Sequence, residues 1–161
     1  MYKIGLGYDS HPFVSGIPLM LGGIHIEHPM GLKGHSDGDV IIHAIIDAII
    51  SPTINKSIGD LFPPSDEQYN GISSLKLLEY AYRDVTKALY KIANIDVTFI
   101  AEAPIIKGYA SKMCEVIASS IKIDPANIAI KGKSNEKMGF IGRGEGAAAI
   151  AVALLCSNAP T

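Results

Sequence analysis

The sequence predicts a single α/β domain, and three observations carry that prediction. At 161 residues the chain has room for one domain, taking about 150 residues per domain as a guide. Hydrophobic residues make up 48% and charged residues 19%, with 16 glycines and 9 prolines. That composition is globular and excludes a disordered, collagen-like or coiled-coil chain. Along the chain, short apolar runs bounded by Gly and Pro alternate with longer segments whose apolar residues recur at helical spacing.

Taken in order, Tyr2 to Tyr8 reads as a first strand, ended by Asp9, Ser10 and His11 before Pro12. Ile17 to Leu21 and Ile24 to Glu27 flank Gly22-Gly23 and predict a hairpin, because two glycines supply the positive φ values of a tight turn. Val40, Ile41, Ala44, Ile45, Ala48 and Ile49 then recur at helical spacing and predict a helix over about Asp37 to Ile50, with Ser36 or Asp37 as N-cap. From Pro52 the stretch INKSIGDLFPPSDEQYNG reads as a long loop, and loops of that length in a compact domain are commonly binding loops or lids. A second helix is expected from Ser73 to Lys91, a strand from Ile95 to Ala101, and a third helix from Ile106 to Ile121 with Tyr109, Met113, Val116 and Ile117 on one stripe. Ile128 to Lys131 reads as a strand, followed by the polar loop GKSNEKMGFIGRGEG. Ala147 to Cys156 is short and fits strand better than helix, although periodicity alone does not separate the two.

Charge narrows the function. Lys and Arg total 14 against 16 Asp and Glu, and only Arg83 and Arg143 are arginines, so no basic patch argues for a nucleic-acid partner. The longest apolar run, Gly146 to Cys156, falls far short of the ~20 residues that span a bilayer, so no membrane partner is expected. Cys114 and Cys156 lie far apart in apolar surroundings and read as buried, reduced thiols. The chain starts almost directly at its first strand without a signal-like or transit-like extension, which favours a bacterial cytoplasmic protein over a plastid one.

Three constellations carry chemistry. Asp9 and His11 stand at i and i+2 on a strand and so point to one face; alone, the triplet reads first as a strand-end turn whose Asp caps the backbone. Asp39 and His43 are spaced at i and i+4 on the expected helix, with His35 about one turn earlier, forming a polar stripe opposite the apolar one. Three of the five histidines thus fall in two short polar segments, while His25 and His28 flank the hairpin and read as surface or packing residues. Asp9, His11 and His43 together make two imidazoles and a carboxylate, which leave a fourth tetrahedral position open as in a catalytic zinc site. The same set also matches the facial triad of a non-haem iron oxygenase, and residue types do not separate the two. The third constellation is the glycine-rich loop at 132–146, where Lys133, Ser134, Glu136 and Arg143 offer cations, a hydroxyl and a carboxylate for a hard metal or phosphate. It lacks the order of a P-loop.

In sequence order, GYDSH, the GG hairpin, GHSDGDVIIHAIIDAI, IGDLFPPSD, NIDVTFIAEAP and KSNEKMGFIGRGEG resemble the 2-C-methyl-D-erythritol 2,4-cyclodiphosphate synthases of the non-mevalonate isoprenoid pathway, over Lys3 to Leu155. The resemblance implies one domain over residues 1–161, an α+β fold with a mixed sheet and helices packed on one face, and a homotrimer with active sites between neighbours. It implies a lyase that turns 4-diphosphocytidyl-2-C-methyl-D-erythritol 2-phosphate into the cyclic diphosphate and CMP. By motif, Asp9, His11 and His43 correspond to zinc ligands, one ion per subunit, and Glu136 to the ligand of a second divalent ion, Mg2+ or Mn2+. His35 and Ser134 correspond to the groups that stabilise the transition state.

Ala101, Ala103, Ile105, Ile106 and Lys107, with Gly132 and Lys133, fall where the family grips cytidine; Ser57, Gly59, Phe62 and Asp66 fall where it holds the methylerythritol arm. Asp9, His11, His35, Ser36, Ser134 and Glu136 fall against the substrate as well. Phe140 and Arg143 sit where many members line a central trimer cavity able to hold an isoprenoid diphosphate. Four positions depart from the pattern: Ser57 and Pro64 stand where Asp is general, and Glu102 and Ile105 where Gln and Lys are frequent. Those departures also keep open a non-enzymatic reading, a trimeric isoprenoid-diphosphate binder.

Overall fold

In the computed structural model, which describes residues 1–158, a mixed sheet carries helices on one face. Its elements in chain order are β1 (Tyr2–Ser15), β2 (Leu19–Leu21), β3 (Ile24–Ile26), β4 (Met30–Leu32), α1 (Val40–Ile54), α2 (Ile58–Leu61), α3 (Ser74–Lys87), β5 (Tyr90–Ile100), α4 (Ala110–Ile121), β6 (Ile128–Lys133), α5 (Gly139–Gly142) and β7 (Gly146–Ser157). The main sheet runs β4-β1-β7-β5-β6 and β2-β3 form a separate hairpin. All pairings in the main sheet are antiparallel except β5 with β6.

The period of two in β1 decides where the helices sit. Gly5 and Gly7 are buried on one face, while Tyr2, Ile4, Leu6 and Tyr8 are exposed on the other. Opposite the two glycines, Ala153 and Ala151 of β7 keep the same face small. This lets α1 lie directly on the strands: a Cβ at Gly7 would sit 1.9 Å from the Ala44 carbonyl oxygen, and one at Gly5 would sit 1.8 Å from that of Ala48. Covered by the sheet on one side and by α3 on another, α1 is buried from Val40 to Ile50 except at Asp47, with Ile42, Ile46 and Ile50 joining the predicted stripe. Each such buried side chain contributes roughly 1.5–3 kcal/mol.

Several boundaries differ from the sequence reading, each for a tertiary reason. β1 does not stop at Tyr8. It runs through Asp9 to Pro12 because β7 continues to pair with it as far as Pro12↔Gly146, and then passes to β4 at Phe13↔Leu32. The short β4 carries no sequence signal of its own. α1 begins three residues later than expected, with Asp39 and not Ser36 or Asp37 as its N-cap, and it continues past Pro52 to Ile54. Pro52 leaves the Ala48 carbonyl without its intrahelical donor, and that carbonyl abuts the backbone of Gly5. The long loop contains α2 and a 3-10 turn at Glu67–Tyr69. α3 ends at Lys87 and not Lys91, because Leu89 turns left-handed (φ 60°) and Tyr90 to Ile92 already pair with β7. α4 starts at Ala110 and not Ile106, and Tyr109, placed on its apolar stripe by spacing, is exposed. Both cysteines are free but half-buried, not fully buried. The GG hairpin (Gly22 φ 58°, Gly23 φ 79°) and the C-terminal strand stand as read.

Candidate metal and substrate site

Asp9 and His11 share the face of β1 that carries Gly5 and Gly7, so the strand aims them at the first turn of α1, where His43 waits. One donor atom from each of Asp9, His11 and His43 lies within 4.8 Å of the other two. Asp9 Oδ2 stands 2.9 Å from His43 Nδ1 and 3.1 Å from His11 Nε2, and the two ring nitrogens are 3.3 Å apart. Burial opposes ionisation of Asp9, but hydrogen bonds and charge from His11 and His43 outweigh it and hold the carboxyl well below the usual range. Burial likewise opposes a charged His43, and Asp9 reverses the sign, raising the imidazole above its ordinary value.

The far side of His43 is also tied. Its Nε2 lies 2.8 Å from Ser36 Oγ and 2.9 Å from Ser74 Oγ. Ser74, fully buried at the start of α3, donates its backbone N–H to Asp37 Oδ2 at 2.9 Å and its hydroxyl to Asp37 Oδ1. Asp39 does not join this face, contrary to the polar stripe expected from its spacing. Its buried carboxylate accepts from the N–H groups of Ile41 and Ile42 as N-cap, and from those of Gly22 and Gly23 at 3.0 and 2.7 Å. The residue fixes the site helix to the hairpin.

Around the triad, His35, Ser36, Ile58, Gly59, Phe62, Pro64, Tyr69 and Leu77 line a cleft of about 170 Å³. Nε2 of His35 is buried there with no hydrogen-bond partner among the described residues. The rim at Ile58 and Gly59 is held by Asp47, whose Oδ1 accepts the Ile58 N–H at 2.6 Å. Burial raises the Asp47 carboxyl above its ordinary value. Ser57 and Asp66 do not line the cleft. Ser57 donates both N–H and hydroxyl to Asp60, and Asp66 caps the adjacent 3-10 turn.

A second pocket of about 520 Å³ lies elsewhere on the chain, lined by Ala101, Glu102, Pro104 to Lys107 and Lys131 to Ser134, with Phe99, Ala110 and Ile130 beneath. It takes in most of the predicted cytidine segment, Ala103 excepted, and shares no lining residue with the triad cleft. Ser134 donates its hydroxyl to Glu136 Oε1 at 2.7 Å, and both are exposed. Within one chain, then, His35 and Ser134 stand in separate pockets. Phe140 is 41% exposed, and Arg143 is engaged by Glu145 through two hydrogen bonds.

The roles of three residues of this architecture escape the sequence reading: Asp37 and Ser74 behind His43, and Glu102. Glu102 Oε1 accepts the N–H groups of Asn135 (3.0 Å) and Lys137 (3.2 Å), and its other oxygen pairs with Lys137 Nζ at 3.1 Å. The carboxylate thus straddles Glu136 and Lys137, both non-glycine residues in the left-handed region (φ 51° and 62°). No local pattern reveals such partners, since each sits more than thirty residues away in sequence.

Comparisons with known proteins identify the family. Residues 2–156 match the YgbB family. The 2-C-methyl-D-erythritol 2,4-cyclodiphosphate synthase of Caldicellulosiruptor bescii is 47% identical over 97% of this chain and 99% of its own. Among solved structures, the bifunctional IspDF of Campylobacter jejuni aligns with a TM-score of 0.94 at 37% identity, over 98% of this chain and 42% of that one. IspF of Plasmodium falciparum, solved as a CDP complex, aligns with a TM-score of 0.85 at 34% identity, over 98% and 97% of the two chains. Matched along nearly its whole length, the chain belongs to the YgbB family of 2-C-methyl-D-erythritol 2,4-cyclodiphosphate synthases.

Proposed function

We propose that this chain cyclises 4-diphosphocytidyl-2-C-methyl-D-erythritol 2-phosphate to the 2,4-cyclodiphosphate with release of CMP, at sites completed between the subunits of a homotrimer. The observation that carries the reading is the cluster of Asp9, His11 and His43, with the outer nitrogen of His43 already tied by two hydroxyls. An imidazole fixed from behind and a carboxylate kept ionised form the donor set a zinc ion takes, with one position left for substrate. Glu136, exposed beside Ser134, is the carboxylate suited to a second, harder ion such as Mg2+ or Mn2+. When bound, such ions supply Lewis-acid stabilisation of phosphate charge.

The rest falls to the chain's own residues. In the reaction an oxygen of the 2-phosphate bonds to the β-phosphorus while the bond from that phosphorus to the oxygen leaving with CMP breaks, so no protein nucleophile is needed. The unpaired Nε2 of His35 is poised to meet a phosphate oxygen at the triad cleft, and the Ser134 hydroxyl offers a second donor from the other pocket. Lys107 and Lys133, which have no carboxylate partner among the described residues, rim the second pocket and would attract the nucleotide diphosphate. The backbone of Ala101 to Lys107 and of Gly132 would hold cytidine, while Ser36, Gly59 and Phe62 would face the methylerythritol arm, with Ser57 and Asp66 shaping its loop.

A trimer is supported by the exposed apolar face of the sheet and by the separation within one chain of the two pockets, which a neighbour would bring together. Phe140 and Arg143 would line its central cavity, where an isoprenoid diphosphate would bind. No helix among the described residues is long and apolar enough to cross a membrane, and the bacterial relatives fit a cytoplasmic enzyme. The test is CMP release from the cytidine diphosphate substrate, with and without EDTA, beside elemental analysis. The reading expects about one zinc per subunit and EDTA-sensitive turnover; a zinc-free protein that consumes oxygen with iron and releases no CMP would overturn it.

A further inference from the structure

From Val40 to Ile50 every residue of α1 is buried except Asp47, and only His43 and Asp47 are polar. A carboxylate in that setting is costly, and an apolar side chain would pack there without the cost. Its single hydrogen bond among the described residues is accepted from the Ile58 N–H, 2.6 Å from Oδ1. That bond reaches a segment with no other polar tie to the body of the chain. Every other hydrogen bond of residues 57–70 closes on the segment itself: Ser57 with Asp60 and Leu61, Ile58 with Phe62, and Asp66 with Pro63, Gln68 and Tyr69 among them. The next tie outward comes only at Gly71, whose N–H is donated to the His35 carbonyl. Ile58, Leu61, Phe62 and Tyr69 do pack against the core, but apolar packing is non-directional and lets a loop slide. The Asp47 bond is what sets the register.

We infer that Asp47 is a positioning residue for the methylerythritol arm of the substrate: by holding the Ile58 N–H it keeps Ile58, Gly59 and Phe62 at the spacing from the triad that this arm fills. Asp47 stands one helical turn beyond His43, so the helix that brings His43 to Asp9 also fixes the rim of the same cleft. Asp47 itself does not line that cleft and acts only through the rim. The inference deepens the function proposed above and rests on it for the identity of the arm.

The test compares Asp47→Ala, which removes the acceptor, with Asp47→Asn, which keeps an acceptor oxygen. In Asp47→Ala the KM for 4-diphosphocytidyl-2-C-methyl-D-erythritol 2-phosphate should rise roughly tenfold, with kcat falling less. The Kd of CDP, a probe that lacks the methylerythritol arm, should keep its wild-type value, and amide exchange at Ile58 should accelerate. Asp47→Asn should restore both the KM and the slow exchange. An unchanged KM in folded Asp47→Ala, with or without a fall in kcat, overturns the inference. So does a parallel loss of CDP affinity, which would mark a general loosening of the fold, and so does an Asp47→Asn as impaired as Asp47→Ala. Should Asp47→Ala not fold, Asp47→Leu, which suits the apolar helix and also lacks the acceptor, carries the same expectations. A wild-type chain that turns over no substrate contradicts the function proposed above; Ile58 exchange then decides the tether alone, and equal rates in wild type, Asp47→Ala and Asp47→Asn overturn it.

Discussion

The Asp39 carboxylate accepts four backbone N–H groups, two from the first turn of α1 and two from the hairpin glycines. Asp39→Ala would leave these donors buried and unpaired, and we expect a loss on the order of 3 kcal/mol in chemical denaturation. An unchanged midpoint would show that water replaces the carboxylate at no cost. The contrast with His43 marks the limit of reading residues from sequence. Asp9, His11 and His43 are legible because strand parity and a scarce residue type both single them out. Asp39 has the same i, i+4 relation to His43, yet spacing cannot separate a cap from a ligand. Ser74 carries no sign at all, since its meaning comes from Asp37, 37 residues earlier.

At the level of elements, the site depends on how closely α1 approaches β1. Gly7 leaves room for the Ala44 carbonyl, and no rotamer change relieves a Cβ placed 1.9 Å from a backbone oxygen. Gly7→Ala should therefore cost at least about 3 kcal/mol, measured by thermal or denaturant melts, and should separate His43 from Asp9; wild-type stability would refute the close-approach account. The longer strands and helices follow from period and turn chemistry, while the short β4, α2 and α5 do not. The ends of the longer elements do not either, because the extension of β1 through His11 is set by pairing with β7, and the tolerance of Pro52 is set by what lies beside Ala48.

Glu102 holds a different element, the loop bearing Ser134 and Glu136. Its carboxyl is kept below the ordinary 4.5, first by the Lys137 ammonium and then by the Lys137 and Asn135 N–H groups. A depressed acid contributes stability that is complete above its unfolded value and lost as pH falls through the folded one. Amide exchange at Asn135 and Lys137 should accordingly be slow near neutrality and accelerate below the ordinary glutamate range, in step with protonation. In Glu102→Ala it should be fast at every pH. Exchange that is indifferent to pH once intrinsic rates are removed would exclude the clamp.

For the whole molecule, one face of the sheet is apolar and exposed in the single chain. Tyr2, Ile4 and Leu6 are 72%, 73% and 63% exposed, and Ile150 and Val152 of β7 continue the patch. Leu6→Asp should shift the sedimenting species from three chain masses to one while far-ultraviolet dichroism stays native; a trimer that survives the charge would place the interface elsewhere. The two half-sites give the same assembly a functional reading. On the proposed reading His43→Ala would remove the zinc half and Glu136→Ala the second-ion half, so each variant alone should release no CMP. Dissociated and reassembled together, randomly mixed trimers should regain about a quarter of wild-type turnover, because one interface in four then joins two intact halves. Mixtures as inactive as their parents would contradict an active site shared between subunits.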